Sequence, residues 1–225
     1  MNKIKAILFD SGRTLNIPKT GNWFIPPNFM KIIDLNKVKV SKEEILRSMT
    51  KARQAEKILV SNEEEEYLMF REFYEILLKE IKYPDIKEET IDLLARDNVY
   101  NDEKFIFLDD VEETLKELNC KYLLGVVSDT WPSIERVFIN KGLRKYFSTF
   151  VISSIYGTTK AEEKLFEIAL TELGVKAEEV IFVDDNESNL KVAESMGIKP
   201  LLIDVYKSEK IKSRYKVINS IKELL

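Results

Sequence analysis

Five short runs of the chain are apolar at almost every position rather than at every second one: 6–9, 122–128, 149–153, 180–183 and 201–203. A strand that buries one face alternates, and a strand buried on both faces does not, so these runs predict a parallel sheet covered on each side. Before each of the last four runs the apolar period changes to that of a helix. Val111, Leu115 and Leu118 share one face behind Asp110, a candidate N-cap with Glu113 at the capping-box position. Ile134, Val137 and Phe138 form a second face, closed by Gly142. Leu165, Phe166, Ala169, Leu170 and Leu173 form a third ending at Gly174, and Leu190, Val192, Ala193 and Met196 a fourth ending at Gly197. Strand and helix in alternation predict a doubly wound, Rossmann-like α/β fold.

More than a hundred residues separate the first run from the second. From about 41 to 100 this stretch has helical periodicity only. A capping box of Ser41 and Glu44 opens a helix carrying Ile45, Met49, Ala52, Ala55 and Leu59 on a face. Asn62 caps the next, and the glutamates 63–66 complement its dipole rather than forming a metal or partner site. The expected organisation is an α/β core of residues 1–16 plus 101–225, with residues 17–100 as a small helical cap planted after the first strand. Its junctions are the loop 16–29 and the stretch around 100–102.

Composition narrows the class. With 44% apolar and 33% charged residues the chain reads as a soluble globular protein. The net charge of −4 is spread without a basic stripe, which argues against nucleic acid as a partner. No apolar run approaches a membrane span and no secretory leader is visible, so no membrane partner is expected. The single cysteine, Cys120, follows a helical stretch and is expected to be a packed thiol. Alone it makes no internal disulfide, which fits a reducing, cytoplasmic compartment. Many Lys, Glu and Ile residues with a single glutamine match a thermophile's composition. There is no histidine, which excludes Ser-His-Asp triads, His-ligated zinc and histidine acid–base chemistry within the chain.

In open α/β sheets ligands bind outside the carboxyl ends of the strands. After the first run stand Asp10, Ser11, Gly12, Arg13 and Thr14; after the second, Ser128, Asp129 and Thr130. A loop after the third reaches Gly157, Thr158, Thr159 and Lys160. Asp184, Asp185, Asn186 and Asn189 follow the fourth, and Asp204 the fifth. Carboxylates gathered on one rim repel unless a cation sits among them. Oxygen-only ligands favour Mg²⁺, and a lysine with hydroxyls can hold the anionic oxygens of a substrate. The constellation reads as a phosphoryl-transfer site with an aspartate nucleophile.

The segments AILFDSGRTL (6–15), GVVSDT (125–130), GTTKAEEKLFEIAL (157–170) and VIFVDDNESNLKVAESMGI (180–198) resemble, in order and spacing, the motifs of the haloacid dehalogenase superfamily of hydrolases. Most members of that superfamily are Mg²⁺-dependent phosphatases, and the helical insertion falls where it places a mobile cap of the first type. The resemblance implies that Asp10 is the nucleophile that becomes an aspartyl phosphate. It implies that Ser128 hydrogen-bonds the transferring phosphoryl group and that Lys160 pairs with Asp10 and the phosphoryl oxygens. Asp185 would bind the metal directly, helped by Asp184, with Asp10 and the backbone carbonyl of Gly12 as further ligands. Ser11, Gly12, Arg13, Thr14, Asp129, Thr130 and Asn189 would border the substrate, a small phosphorylated metabolite. Trp23, Phe24 and the first two cap helices would tune specificity, and Tyr156 and Trp131 are expected to be packing residues.

Two positions depart from the pattern. Phosphatases of the superfamily carry an acid–base aspartate two places after the nucleophile, where this chain has Gly12. At the next place the superfamily more often has glycine, and this chain has Arg13. Dehalogenases of the superfamily also lack the second aspartate. They have an aromatic residue at the Gly12 place and a tyrosine where this chain has Phe166, and they use no metal. A binding protein that has lost turnover through Gly12 is a further alternative. A two-component receiver domain is disfavoured, because receivers place the acidic pair first.

Overall fold

All five apolar runs become neighbours in one sheet. The computed structural model describes residues 3–38, 40–84, 86–208 and 212–225. In chain order the elements are β1 (Ala6–Phe9), β2 (Asn16–Pro18), α1 (Phe29–Ile32), α2 (Lys42–Ala52), α3 (Glu63–Glu80) and α4 (Glu88–Val99). Then come β3 (Phe105–Phe107), α5 (Val111–Asn119), β4 (Leu123–Ser128), α6 (Ser133–Asn140), β5 (Thr149–Ile152) and α7 (Ser153–Tyr156). The chain closes with α8 (Lys164–Leu173), β6 (Val180–Asp184), α9 (Glu187–Ser195), β7 (Lys199–Ile203) and β8 (Val217–Ile218).

The main sheet has the order β5-β4-β1-β6-β7-β8 with every pair parallel. The chain winds outward from β1 through β4 and β5, then crosses back to β6 on the other side. That reversal opens a crevice at the carboxyl end of β1. Within β1, Ile7 and Phe9 join one apolar cluster with residues of α5 and α6, while Ala6 and Leu8 join another with residues of α8 and α9. Both faces are buried, which is why the run is continuous rather than alternating.

Gly125 of β4 allows the strands to pack this closely. A Cβ there would stand 2.4 Å from Thr149 Cγ2 and 2.7 Å from Leu8 Cδ2. Gly125→Ala is therefore expected to destabilise the fold by about 1–3 kcal/mol through overpacking. Thermal denaturation checks this, and a melting temperature equal to the wild type would refute the packing argument.

Residues 29–99 supply a third apolar cluster of their own, built around Phe70, Phe73, Tyr74, Leu77 and Leu78 of α3. The Ser41–Glu44 capping box and the Asn62 cap both form. Helix α2 ends earlier than its apolar period predicts. Leu59 stands exposed in the loop beyond it, because Val60 donates its N–H to Ser154 O (2.8 Å) and draws this loop onto the α/β layer. The glutamates 63–66 do more than serve the dipole. Glu66 is buried and accepts hydrogen bonds from Ser133 N (2.8 Å) and Oγ (2.7 Å), and Glu63 pairs with Arg136 (2.9 Å). These bonds tie the start of α3 to α6.

Other expectations are corrected. Strands β2 and β3 pair antiparallel across the two ends of the helical segment; each is too short for periodicity to reveal. Asp110 makes no side-chain cap at α5, because its carboxylate accepts from Ser220 Oγ instead. The helix after β6, α9, is capped by Asn186, whose side chain accepts from Ser188 N. Cys120 is exposed, one residue past α5, with Sγ directed to Lys116 O. Among the described residues, no helix is long and apolar enough to cross a membrane.

Candidate active site

The crevice beside β1 is part of a cleft of about 500 Å³. Its lining includes Asp10, Ser11, Gly12, Arg13, Ser128, Asp129, Thr130, Thr159, Lys160, Asp185 and Asn189 from the α/β layer. The helical side contributes Trp23, Phe24, Arg53, Glu56, Lys57 and Ile58. Asp10 is held at the end of β1 by donating its N–H to Val183 O (2.9 Å). Two donors meet on one of its carboxylate oxygens: Ser128 Oγ at 2.9 Å and Lys160 Nζ at 2.5 Å both bond Oδ1. Lys160 Nζ also donates to Asp184 Oδ2 (2.6 Å), and its backbone N–H to Asp129 Oδ1 (2.9 Å). The lysine loop is thus anchored by the loop after β4.

Oxygens of Asp10, Asp184 and Asp185 all lie within 4.8 Å of one another. Burial pushes the Asp10 carboxyl up to about 7; Lys160 opposes this, and Asp184 and Asp185 add to it. Burial also raises Asp185, with Asp184 contributing, and raises Asp129. Burial would depress Lys160, but the carboxylates of Asp10, Asp184 and Asp129 outweigh it and hold the ammonium above its ordinary range. A lysine so placed stays charged, yet three clustered carboxylates still exceed it. The donor set is all oxygen and short of positive charge, so a hard divalent cation fits. Asp184 is already engaged by Lys160, Asn186 N (2.7 Å) and Asn189 Nδ2 (3.0 Å), whereas Asp185 faces the cleft.

The loop after Asp10 folds back on itself. Asn16 donates its N–H to Ser11 O (3.1 Å), and Arg13 donates its N–H to Asn16 O (2.6 Å). This turn places Arg13 at φ +56°, the left-handed region that glycine adopts without cost. Its guanidinium comes to 3.9 Å from Asp185 Oδ2. Thr14 lies behind the cleft, fully buried, with its hydroxyl unpartnered. Asp204 is also away from the cleft, its carboxylate accepting from Tyr206 N and Ser208 N. Thr130 fixes its loop through Ser153: its N–H donates to Ser153 Oγ at 3.1 Å. Tyr156 packs with the α8 side of the sheet.

Trp131 packs on Phe70 and Phe24 as expected and also faces the cleft. Several lining residues were not singled out from sequence. The loop residues Arg53, Glu56, Lys57 and Ile58 are among them, brought here by the Val60–Ser154 bond. Lys104 is the least visible; only its place just before an apolar strand sets it apart from a surface lysine. At Gly12, a Cβ would stand 3.1 Å from Trp23 Cζ2. The indole covers the space where a side chain at this position would begin.

A doubly wound parallel sheet with an aspartate, a serine, a lysine and an aspartate pair on its carboxyl edge defines the class. The chain belongs to the haloacid dehalogenase-like hydrolase family, whose profile matches residues 32–203. It is 28% identical over 130 residues to the glyceraldehyde 3-phosphate phosphatase of Methanocaldococcus jannaschii, a match covering 50% of this chain and 52% of that protein. The chain spans about half or less of the length of the curated relatives it matches. Its fold is similar to a 2-haloacid dehalogenase from Pseudomonas syringae pv. Tomato DC3000, with a TM-score of 0.65, 18% identity and coverage of 98% and 96% of the two chains. It is also similar to a Bacteroides thetaiotaomicron family enzyme solved with magnesium and inorganic phosphate, with a TM-score of 0.61, 21% identity and coverage of 91% and 96%.

Proposed function

We propose that the protein is a Mg²⁺-dependent hydrolase of small phosphomonoesters that works through an aspartyl phosphate on Asp10. The observation that carries this is the convergence of Ser128 and Lys160 on one oxygen of Asp10, beside the carboxylates of Asp184 and Asp185. Asp10, Asp185 and the backbone carbonyl of Gly12 would hold the cation, with Asp184 behind them. Bound there, it would offset the negative charge of carboxylates and phosphate alike. The Asp10 carboxylate attacks phosphorus, and the ester P–O bond breaks. Lys160 and Ser128 stabilise the charge on the phosphoryl oxygens. Gly12 offers no proton, so the leaving oxygen takes one from water. A water molecule then attacks the aspartyl phosphate, releasing inorganic phosphate and restoring Asp10.

Residues 17–100 would act as the cap, excluding bulk water, and the α/β core would comprise 1–16 and 101–225. Ser11, Arg13, Asp129, Thr130 and Asn189 would border the substrate from the core side. The phosphatase of Methanocaldococcus jannaschii supports the reaction class through its sequence likeness. Phe166 favours phosphoryl chemistry over dehalogenation. It is fully buried against Phe182, with ring centroids 5.0 Å apart, and places no hydroxyl in the cleft.

The test is a panel of phosphomonoesters and 2-haloacids, assayed with Mg²⁺ and with EDTA. Phosphate release is expected with Mg²⁺ and is expected to fall to background with EDTA. Halide release without metal would select the dehalogenase instead. Metal-dependent phosphate binding without turnover would make the protein a binder.

A further inference from the structure

We propose that the substrates are phosphomonoesters whose alcohol portion carries a carboxylate, and that Lys104 receives that carboxylate. This rests on the hydrolase reading above. Lys104 closes the turn before β3, is only 3% exposed, and lines the same cleft as Asp10. Its Nζ donates to Asn98 Oδ1 at 2.6 Å. That amide is itself fixed, since Asn98 Nδ2 donates to Tyr74 Oη (2.7 Å) and Trp23 O (3.2 Å). The rings of Phe70, Phe105 and Trp131 lie 5.1, 5.3 and 5.8 Å from Nζ.

An ammonium has three N–H donors, and here one is bonded to a neutral amide oxygen. The rings stabilise the charge without accepting ordinary hydrogen bonds. Among the described residues no carboxylate lies within 4.0 Å of this nitrogen. Glu66 acts on it electrostatically, but both Glu66 oxygens are engaged by Ser133. Burial lowers the Lys104 ammonium to about 8, with Glu66 opposing, so it remains cationic at neutral pH. A lysine serving only to neutralise Glu66 would pair with it directly.

The surrounding wall has the same sign. From the helical side the cleft receives Arg53 and Lys57 against a single carboxylate, Glu56, which Arg53 already binds. The acids at the other end, Asp10, Asp129 and Asp185, face Lys160 and the cation their geometry fits. A phosphate ester with a neutral alcohol would leave Lys104 with only the more distant Glu66 as a counter-charge and no anion at hydrogen-bonding distance. A single buried ammonium with donors to spare matches a singly charged, two-oxygen group, hence a carboxylate rather than a second phosphate.

The test uses two non-hydrolysable ligands of equal length, 3-phosphonopropionate and propylphosphonate, titrated calorimetrically with Mg²⁺ at pH 7. The wild type is expected to bind the carboxylated ligand at least about tenfold more tightly, the scale of one hydrogen bond to a charged group. Lys104→Met is expected to erase that ratio, and Glu66→Gln to keep it. If the Met variant does not fold, Lys104→Gln, which can keep a bond to Asn98, carries the comparison. Equal affinities in the wild type, or a preference that survives loss of the ammonium, overturn the proposal. Failure of the hydrolase reading is separable: every ester would go unhydrolysed while the binding preference stood.

Discussion

Asp10→Asn removes essentially all phosphate-ester turnover, with kcat expected to fall by roughly a thousandfold or more, as for loss of other enzyme nucleophiles. The amide keeps the volume of the carboxylate but is a far weaker nucleophile. The surroundings predict that the variant still folds. Lys160 keeps its bond to Asp184 and the charge of Asp129, so it is not left as an unpaired buried cation. Steady-state phosphate release, alongside a thermal melt that shows the variant folded, checks the expectation. A folded Asp10→Asn protein within tenfold of wild type would show that another group attacks phosphorus.

The second large effect is a gain. General acid–base assistance is worth about 10²–10⁴-fold, and Gly12 stands where the resemblance places that group. An aspartate cannot simply be added, because Trp23 Cζ2 would lie 3.1 Å from its Cβ. The indole is itself held on Phe105, with ring centroids 5.5 Å apart, and the Trp23 backbone carbonyl accepts from Asn98 Nδ2. Gly12→Asp alone is therefore expected to give a small gain. Gly12→Asp with Trp23→Ala frees the space and is expected to speed hydrolysis of simple alkyl phosphates by about 10²-fold or more. p-Nitrophenyl phosphate, whose leaving group needs little protonation, should gain much less. If alkyl phosphates gain nothing in either variant, Gly12 is not where acid–base help is missing.

Much of this was legible in sequence because it depends on local rules. Continuous apolar runs gave the parallel strands, and the residues after each run gave the rim. Asp10, Ser128, Lys160 and Asp184 come together in space because the parallel register aligns the strand ends. Arg13 shows the limit. Its identity is plain in the sequence, but only the turn that returns to Asn16 sets its φ to +56°. That turn also gives a physical reason for glycine at this place in the superfamily.

Cys120 was misjudged, and the role of the glutamates 63–66 at the start of α3 was read correctly but incompletely, for a common reason. A helix pattern says which residues share a face, not what the face meets. The thiol falls past the last turn of α5 and stays in solvent, while Glu66 turns inward because α6 offers it an N–H and a hydroxyl.

The sequence by itself determined the sheet, its covering helices, the family motifs and the absence of an acid at position 12. Each of these follows from residue type and near-neighbour spacing. Tertiary structure alone decided that Trp23 covers Gly12, that the loop after α2 reaches the cleft, and that Lys104 is buried among three rings at its wall. Apart from the adjacent Phe105, these contacts join residues more than ten positions apart in the chain. Their partners are chosen by packing and by the need to satisfy buried charge, which no local pattern encodes.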